Sequence, residues 1–148
     1  MTQMKHPVVS FSLVTLQFAL MGVLLLLLPL SLNLFVLITQ GIAILIGLWA
    51  VQTMHIGHFN IVPDPMPDIK LVTKGPYHFI RHPMYFSIIL FFAPLVAISL
   101  NWITLSVFVH LFIVLFIKLH YEETLLTLKL PDYQAYQTRT KKLIPFIL

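Results

Sequence analysis

The sequence has no cysteine among its 148 residues. This removes disulfide staples, thiolate metal sites and a cysteine nucleophile from consideration. Charge is nearly as scarce: 9% of residues are Asp, Glu, Lys or Arg, where a soluble domain carries about 25%. With 59% hydrophobic residues, the balance belongs to the membrane class. The glycines are dispersed at Gly22, Gly41, Gly47, Gly57 and Gly75, so no glycine-rich loop is available to cradle phosphates. No C-terminal prenylation box is present. The net charge of +4 finds no soluble face on which to form a basic patch, and no nucleic-acid partner is expected.

What the chain does have is four apolar runs, at about 8–30, 34–54, 84–100 and 103–121. Crossing roughly 30 Å of hydrocarbon takes about 20 helical residues. Lys5 ahead of the first run also fits a signal peptide. However, the run is long for one and 31–33 is a poor cleavage site, so a retained helix is expected. The links at 31–33 and 101–102 are short enough to return each helix antiparallel to its predecessor. Ala43, Gly47 and Ala50 form a small-residue face suited to close helix packing in lipid, and the same face is a candidate for a homodimer. The segment 63–68 contains three prolines and reads as a stiff surface loop. After Pro131 the tail mixes Tyr133, Tyr136, Arg139, Lys141, Lys142, Ile144 and Phe146. That mixture suits a segment lying on anionic membrane lipids.

Basic residues set the expected topology. Lys5 precedes the first run, and Lys70, Lys74 and Arg81 lie between the second and third. Lys118, Lys129, Arg139, Lys141 and Lys142 come at or after the end of the fourth. The two opposite turns carry no charge. The positive-inside rule therefore places both termini and the polar interval in the cytoplasm. The expected architecture is a single domain over 1–148: an all-α integral membrane protein with four transmembrane helices, a cytoplasmic loop and a C-terminal amphipathic segment.

This topology brings Arg81 and His82, before the third run, beside Lys118, Glu122 and Glu123, at the end of the fourth. Lys118 and Glu122 are four residues apart, hence on one helix face. Two readings are open: a polar cluster with a chemical task, or snorkelling anchors and surface ion pairs worth about 0–1 kcal/mol each. His55 and His58 lack a firm third ligand, and His78 and His82 are bracketed by Gly75-Pro76 and Pro83, so no metal centre is expected. His110, inside the fourth run, is either functional or a neutral imidazole bonded to a neighbouring helix.

Several motifs occur in order from residue 69 onward: Gly75-Pro76-Tyr77, Arg81-His82-Pro83-Met84-Tyr85, Glu122-Glu123 with Leu126, Tyr133-Gln134-Ala135-Tyr136 and Ile144-Pro145. Together they resemble the isoprenylcysteine carboxyl methyltransferase family, within a wider group that includes the phospholipid N-methyltransferases. The resemblance implies an integral-membrane enzyme that uses S-adenosyl-L-methionine and acts on a hydrophobic or lipid-linked acceptor. It places Leu71, Val72, Tyr77, His82, Pro83, Met84, Tyr85 and Glu122 on cofactor-contacting positions. Lys118 falls where a family member has a substrate-contacting arginine, which keeps the charge but loses the planar fork. Arg81, His82 and Glu122 are the candidate catalytic residues. Arg81 or His82 is suited to the cofactor carboxylate, Glu122 to its ammonium or ribose, and His82 or Glu122 to a proton from an amine acceptor. A soluble Rossmann-type methyltransferase is excluded by the missing βα alternation. The rival readings are a phospholipid N-methyltransferase-like activity, an NADPH-dependent membrane reductase and a non-catalytic membrane module.

Overall fold

The computed structural model describes residues 7–54, 62–65 and 68–147. Lys5, His55, His58, Met66 and Pro67, which figure in the expectations above, lie outside the described residues. Five helices follow in order: α1 Pro7–Leu27, α2 Leu34–Met54, α3 Pro83–Ile98, α4 Trp102–Lys129 and α5 Tyr133–Arg139. A single 3-10 turn, Gly75–His78, precedes α3. Extended pairing among the described residues is limited to one bridge between Ile80 and Lys141.

Three helices, α1, α2 and α4, are long and apolar enough to cross a membrane, whereas α3 is a shorter apolar helix. Its 16 residues reach about 24 Å at 1.5 Å each. The first helix ends at Leu27 rather than near residue 30, because Pro29 disfavours helical backbone at the residue before it. The fourth continues past the end of its apolar run at 121 to Lys129. Nothing in 122–130 breaks a helix, so the polar residues there lie within it, and Pro131 ends it. Its start is set by Asn101, whose side chain accepts from the backbone N–H groups of Ile103 and Thr104, both at 2.9 Å.

Chain neighbours are not the main packing partners. α1 packs along α4, α2 along α3, and α3 against α4, while α1 and α2 barely touch. The reason is written in two seven-residue stripes. The buried residues of α1 are Ser10, Gln17 and Leu24, and those of α2 are Val36, Ala43 and Ala50. Each stripe faces inward, and the remaining surface of both helices is apolar and exposed, as at Phe11, Phe18, Leu25, Leu45 and Trp49. In lipid, helices associate through fit and polar contacts rather than through apolar burial, so small and polar side chains turn inward. At Gly47 an added Cβ would sit 3.1 Å from Ser87 Oγ. The Ala43–Gly47–Ala50 side of α2 thus serves packing within the chain, with Gly47 against α3.

The interior divides along its length. At the end holding the two short turns, Leu24, Leu28, Val36, Phe92, Leu95, Val96, Leu111 and Leu115 form an apolar core. At the opposite end, Leu126, Tyr133 and Tyr136 pack with Ile69, Leu71 and Leu130. Tyr133 and Tyr136 form the buried side of the tail, while Gln134, Arg139, Lys141, Phe146 and Ile147 are exposed.

The 3-10 turn is held against α2 at Gly75, which has φ +57. A Cβ there would lie 2.6 Å from Thr53 Oγ1 and 3.2 Å from Trp49 Nε1. Gly75→Ala should therefore destabilise the protein by at least about 1–2 kcal/mol, the cost of the left-handed backbone alone. Gly22→Ala, which meets nothing within 4 Å, should be neutral or slightly stabilising. Denaturation of both variants in the same detergent checks the contrast.

Candidate active site

Arg81 is the centre of the polar end. Its guanidinium Nε donates to Glu123 Oε1 at 2.5 Å, and Nη1 donates to the carbonyls of Thr140 at 2.5 Å and Gln137 at 3.1 Å. The flanking backbone is tied to the tail as well, with Arg81 N–H donating to Lys141 O at 2.9 Å and His82 N–H to Lys142 O at 3.0 Å. The Arg81 and Glu123 side chains are only 5% and 8% exposed. Charge-assisted pairing of this kind holds only where the hydrogen bonds are satisfied. Nε and Nη1 of Arg81 are thus given to Glu123 and the tail, which fastens three segments together, while the residue also lines both cavities described below.

His82 and Tyr85, on the turn and first helical residues after Arg81, stack with ring centroids 5.4 Å apart. His82 Nδ1 is 3.8 Å from Glu122 Oε2. Its Nε2 lies 3.4 Å from Glu123 Oε1, outside hydrogen-bond geometry, and is a buried nitrogen with no hydrogen-bond partner among the described residues. Tyr85 OH donates to Glu122 Oε2 at 2.9 Å. The Tyr85 ring lies beneath the Lys118 ammonium, 5.1 Å from Nζ to centroid, within cation–π range. Lys118 is 1% exposed and donates to Gln17 Oε1 on α1 at 2.5 Å.

Two cavities meet on this cluster. One, of about 50 Å³, is lined by Met54, Ile69, Lys70, Leu71, Val72, Tyr77, Arg81, His82, Glu122, Leu126, Leu130, Tyr133 and Tyr136. The other, of about 380 Å³, runs between the facing halves of α1 and α2. Its lining is Gln17, Phe18, Met21, Gly47, Val51, Met54, Tyr77, Arg81, His82, Pro83, Met84, Tyr85, Ser87, Ile88, Lys118 and Glu122. Met54, Tyr77, Arg81, His82 and Glu122 line both. The residues expected at a cofactor are thus brought together but divided: Leu71 and Val72 face the small chamber, Pro83, Met84 and Tyr85 the groove, and Tyr77, His82 and Glu122 the junction. Lys118 lines the groove, as a substrate contact would.

A family comparison gives this arrangement its context. The phospholipid methyltransferase family pattern matches residues 33–130, well over half of the chain. The chain belongs to the phospholipid methyltransferase family. Membership indicates methyltransferase activity, and together with three membrane-length apolar helices it indicates an integral membrane protein. No curated protein and no solved structure matches the chain.

Sequence reading of this methyltransferase placed Glu123 in the polar cluster but gave no site role to Gln17, Asp64 or Lys70. Glu123, rather than its neighbour, takes Arg81. Gln17 takes Lys118. Asp64 accepts from Ser10 Oγ and, at 3.4 Å, from Tyr121 OH, fastening the loop to α1 and α4. Lys70 lines the small chamber. For Ser10 and Gln17 a signal existed, since both are polar interruptions of an apolar run. His110, left open above, has Nδ1 2.7 Å from Ser106 O on its own helix and lies away from this site.

The phenols around the small chamber are held neutral. Burial first, then the charge of Glu122, pushes Tyr77 well above its ordinary range. Burial, then Glu123 and Glu122, does the same for Tyr133. Tyr136 donates to Tyr77 O at 2.5 Å, and burial pushes it up to about 12 against the opposing charge of Arg81. Because its folded-state value is raised, its contribution to stability is complete below about pH 10. That contribution should be lost as the pH rises from there through about 12. Phenolate absorbance followed alongside helicity should show Tyr136 ionising late and with loss of the tail's packing, a step absent in Tyr136→Phe.

Removing one partner of the buried ion pair leaves the other charge uncompensated, at about 3–5 kcal/mol. Arg81→Met should therefore release the tail, read as new protease cleavage between Arg139 and Lys142. The Arg81→Met/Glu123→Met double variant should recover much of the lost stability.

Proposed function

We propose that the protein transfers a methyl group from S-adenosyl-L-methionine to a lipid-embedded acceptor at the junction of the two cavities, as an isoprenylcysteine carboxyl methyltransferase-like enzyme. The observation that carries this reading is the shared wall. Tyr77, His82 and Glu122 line both the small chamber and the larger groove, so a cofactor too large for a chamber of about 50 Å³ would reach across that wall to meet an acceptor in the groove. The wider site is part of the reading: Leu71 and Val72 at the cofactor, Pro83, Met84 and Tyr85 beside it, and Lys118 at the acceptor. In the same reading α3 completes a fourth span, and both termini and the loop before α3 face the cytoplasm, as the basic residues favour.

The donor set fits the cofactor in kind. Glu122, with its side chain 27% exposed, is a carboxylate suited to an ammonium or ribose hydroxyls. Tyr77 and Tyr133 offer ring faces to a cation or a base. His82, on the shared wall, and Lys70, in the small chamber, are the groups suited to a carboxylate. When bound, S-adenosylmethionine supplies a methyl group already activated on a sulfonium sulfur. The protein's share is then alignment and exclusion of water. Tyr85 holds Glu122, the Arg81–Glu123 pair holds the tail over the chamber, and Lys118 holds an acidic acceptor in the groove. A carboxylate acceptor has no proton to lose, which suits a site whose groove residue is a cation.

A second reading, an amine headgroup as acceptor, is favoured by one observation. His82 and the Glu122 carboxylate both line the junction, where a base can take the proton an amine must lose.

Glu122→Ala should abolish S-adenosylhomocysteine binding while leaving a helical, detergent-soluble protein. Unchanged affinity would remove Glu122 from the site. Incubating membranes with methyl-labelled cofactor separates the acceptors. Label that mild base releases marks a carboxyl ester, and base-stable label in the lipid fraction marks a methylated amine.

A further inference from the structure

The side of α4 turned away from Lys118 and Glu122 carries a second juxtaposition of aromatic and basic groups. Phe112, Phe116 and His120 stand four residues apart and share one face. The two phenylalanine rings stack with centroids 6.2 Å apart, and the second lies 4.6 Å from the imidazole. His120 is two residues from both Lys118 and Glu122, and a two-residue step turns an α-helix by about 200°. An open depression of about 380 Å³ follows this stripe, lined by Phe116, Ile117, His120, Tyr121 and Thr124. The helix surface beside it is apolar and faces outward at Ile113 and Ile117.

The tail brings a cation to the polar end of the stripe. Lys142 Nζ lies 3.4 Å from His120 Nε2. His120 Nδ1 is 3.2 Å from the carbonyl oxygen of Phe116, an atom that can only accept, so Nδ1 carries a proton. In the neutral ring Nε2 is then the acceptor, and Lys142 donates to it. The ammonium keeps its charge, because no carboxylate among the described residues lies within ion-pair distance of it. Glu123 is paired with Arg81, Glu122 accepts from Tyr85, and Asp64 accepts from Ser10 and Tyr121.

An uncancelled cation beside an apolar, outward-facing surface complements a lipid headgroup. We propose that Lys142, aimed by His120, holds the phosphate of an anionic phospholipid whose acyl chain lies along Phe116 and Phe112. An ammonium has three N–H donors, so two remain for phosphate oxygens after His120 takes one. The cation of a choline or ethanolamine headgroup would add a like charge beside Lys142, which favours a lipid of net negative charge. This lipid is not a methyl acceptor, since it lies across α4 from both cavities. Its influence passes instead through the backbone. The carbonyls of Lys141 and Lys142 accept from the N–H groups of Arg81 and His82, at 2.9 and 3.0 Å. A headgroup that anchors the Lys142 side chain therefore fastens the tail to two residues that line both cavities.

The test uses the full chain in nanodiscs of equal parts phosphatidylglycerol and phosphatidylcholine, with retained lipids counted by native mass spectrometry. The wild type should retain one phosphatidylglycerol about fivefold more often than phosphatidylcholine, as expected for one lysine at a lipid surface. Lys142→Gln should lose that preference and His120→Ala should weaken it. Lys142→Arg should keep it, as should Lys141→Gln, which removes the same charge one residue away. Amide exchange at Arg81 and His82 should slow severalfold when phosphatidylglycerol replaces phosphatidylcholine, in the wild type but not in Lys142→Gln. Helicity of each variant reports that the fold is intact. A wild type without preference, or equal losses in Lys141→Gln and Lys142→Gln, would overturn the site in favour of diffuse surface attraction. Displacement of the lipid by water-soluble glycerol phosphate would overturn it in favour of a site for free phosphate esters. Exchange that ignores the lipid would overturn the link to the tail.

Discussion

The buried pair between Arg81 and Glu123 is the interaction on which the polar end depends. One guanidinium joins the segment before α3, the last turns of α4, and the end of α5 with the residue after it. Desolvating two charges is expensive and is compensated only by close geometry and further hydrogen bonds. Here the compensation comes from tail carbonyls that need donors of their own. The chain therefore cannot form the pair without placing the tail, and it cannot place the tail without bringing Tyr133 and Tyr136 over the small chamber. Chamber wall and ion pair form together.

Tyr85 plays a second organising part. Its ring meets a cation and a histidine, and its hydroxyl meets Glu122. A phenylalanine there would keep the ring contacts but leave Glu122 without its donor. Two opposite charges four residues apart on α4 thus share one intermediary from α3. The chemistry of the groove and that of the junction are mechanically coupled through this side chain.

Much of this architecture was legible from sequence because lipid imposes strict rules. α2 was found with its ends at 34 and 54 since a polar residue bounds its apolar run on either side. The Arg81-His82 and Glu122-Glu123 motifs were expected to meet, because a two-residue turn leaves a helical hairpin little choice. What escaped notice depended on direction within a helix. Adjacent residues of a helix point about 100° apart, so whether Glu122 or Glu123 faces Arg81 is decided by how α4 is rotated, and that is set by tertiary packing. The pairing of α1 with α4 was hidden for the same reason, its only trace being Ser10 and Gln17 seven residues apart in an apolar run. At the end of α4 the leucines of 122–130 carry the helix past its apolar run to Lys129, where Pro131 follows. In the tail, composition left open which residues turn inward, and packing chooses Tyr133 and Tyr136.

The failure of α1 and α2 to pack on each other has a consequence for measurement. A groove between two lipid-facing helices exchanges its contents with the bilayer rather than with water. The concentration that governs its occupancy is then a mole fraction among lipids, and the aqueous concentration enters only through partitioning. Adding detergent or inert lipid at fixed total ligand dilutes that fraction and weakens apparent affinity without altering any contact. A ligand that reached the small chamber from solution would be insensitive to the same dilution.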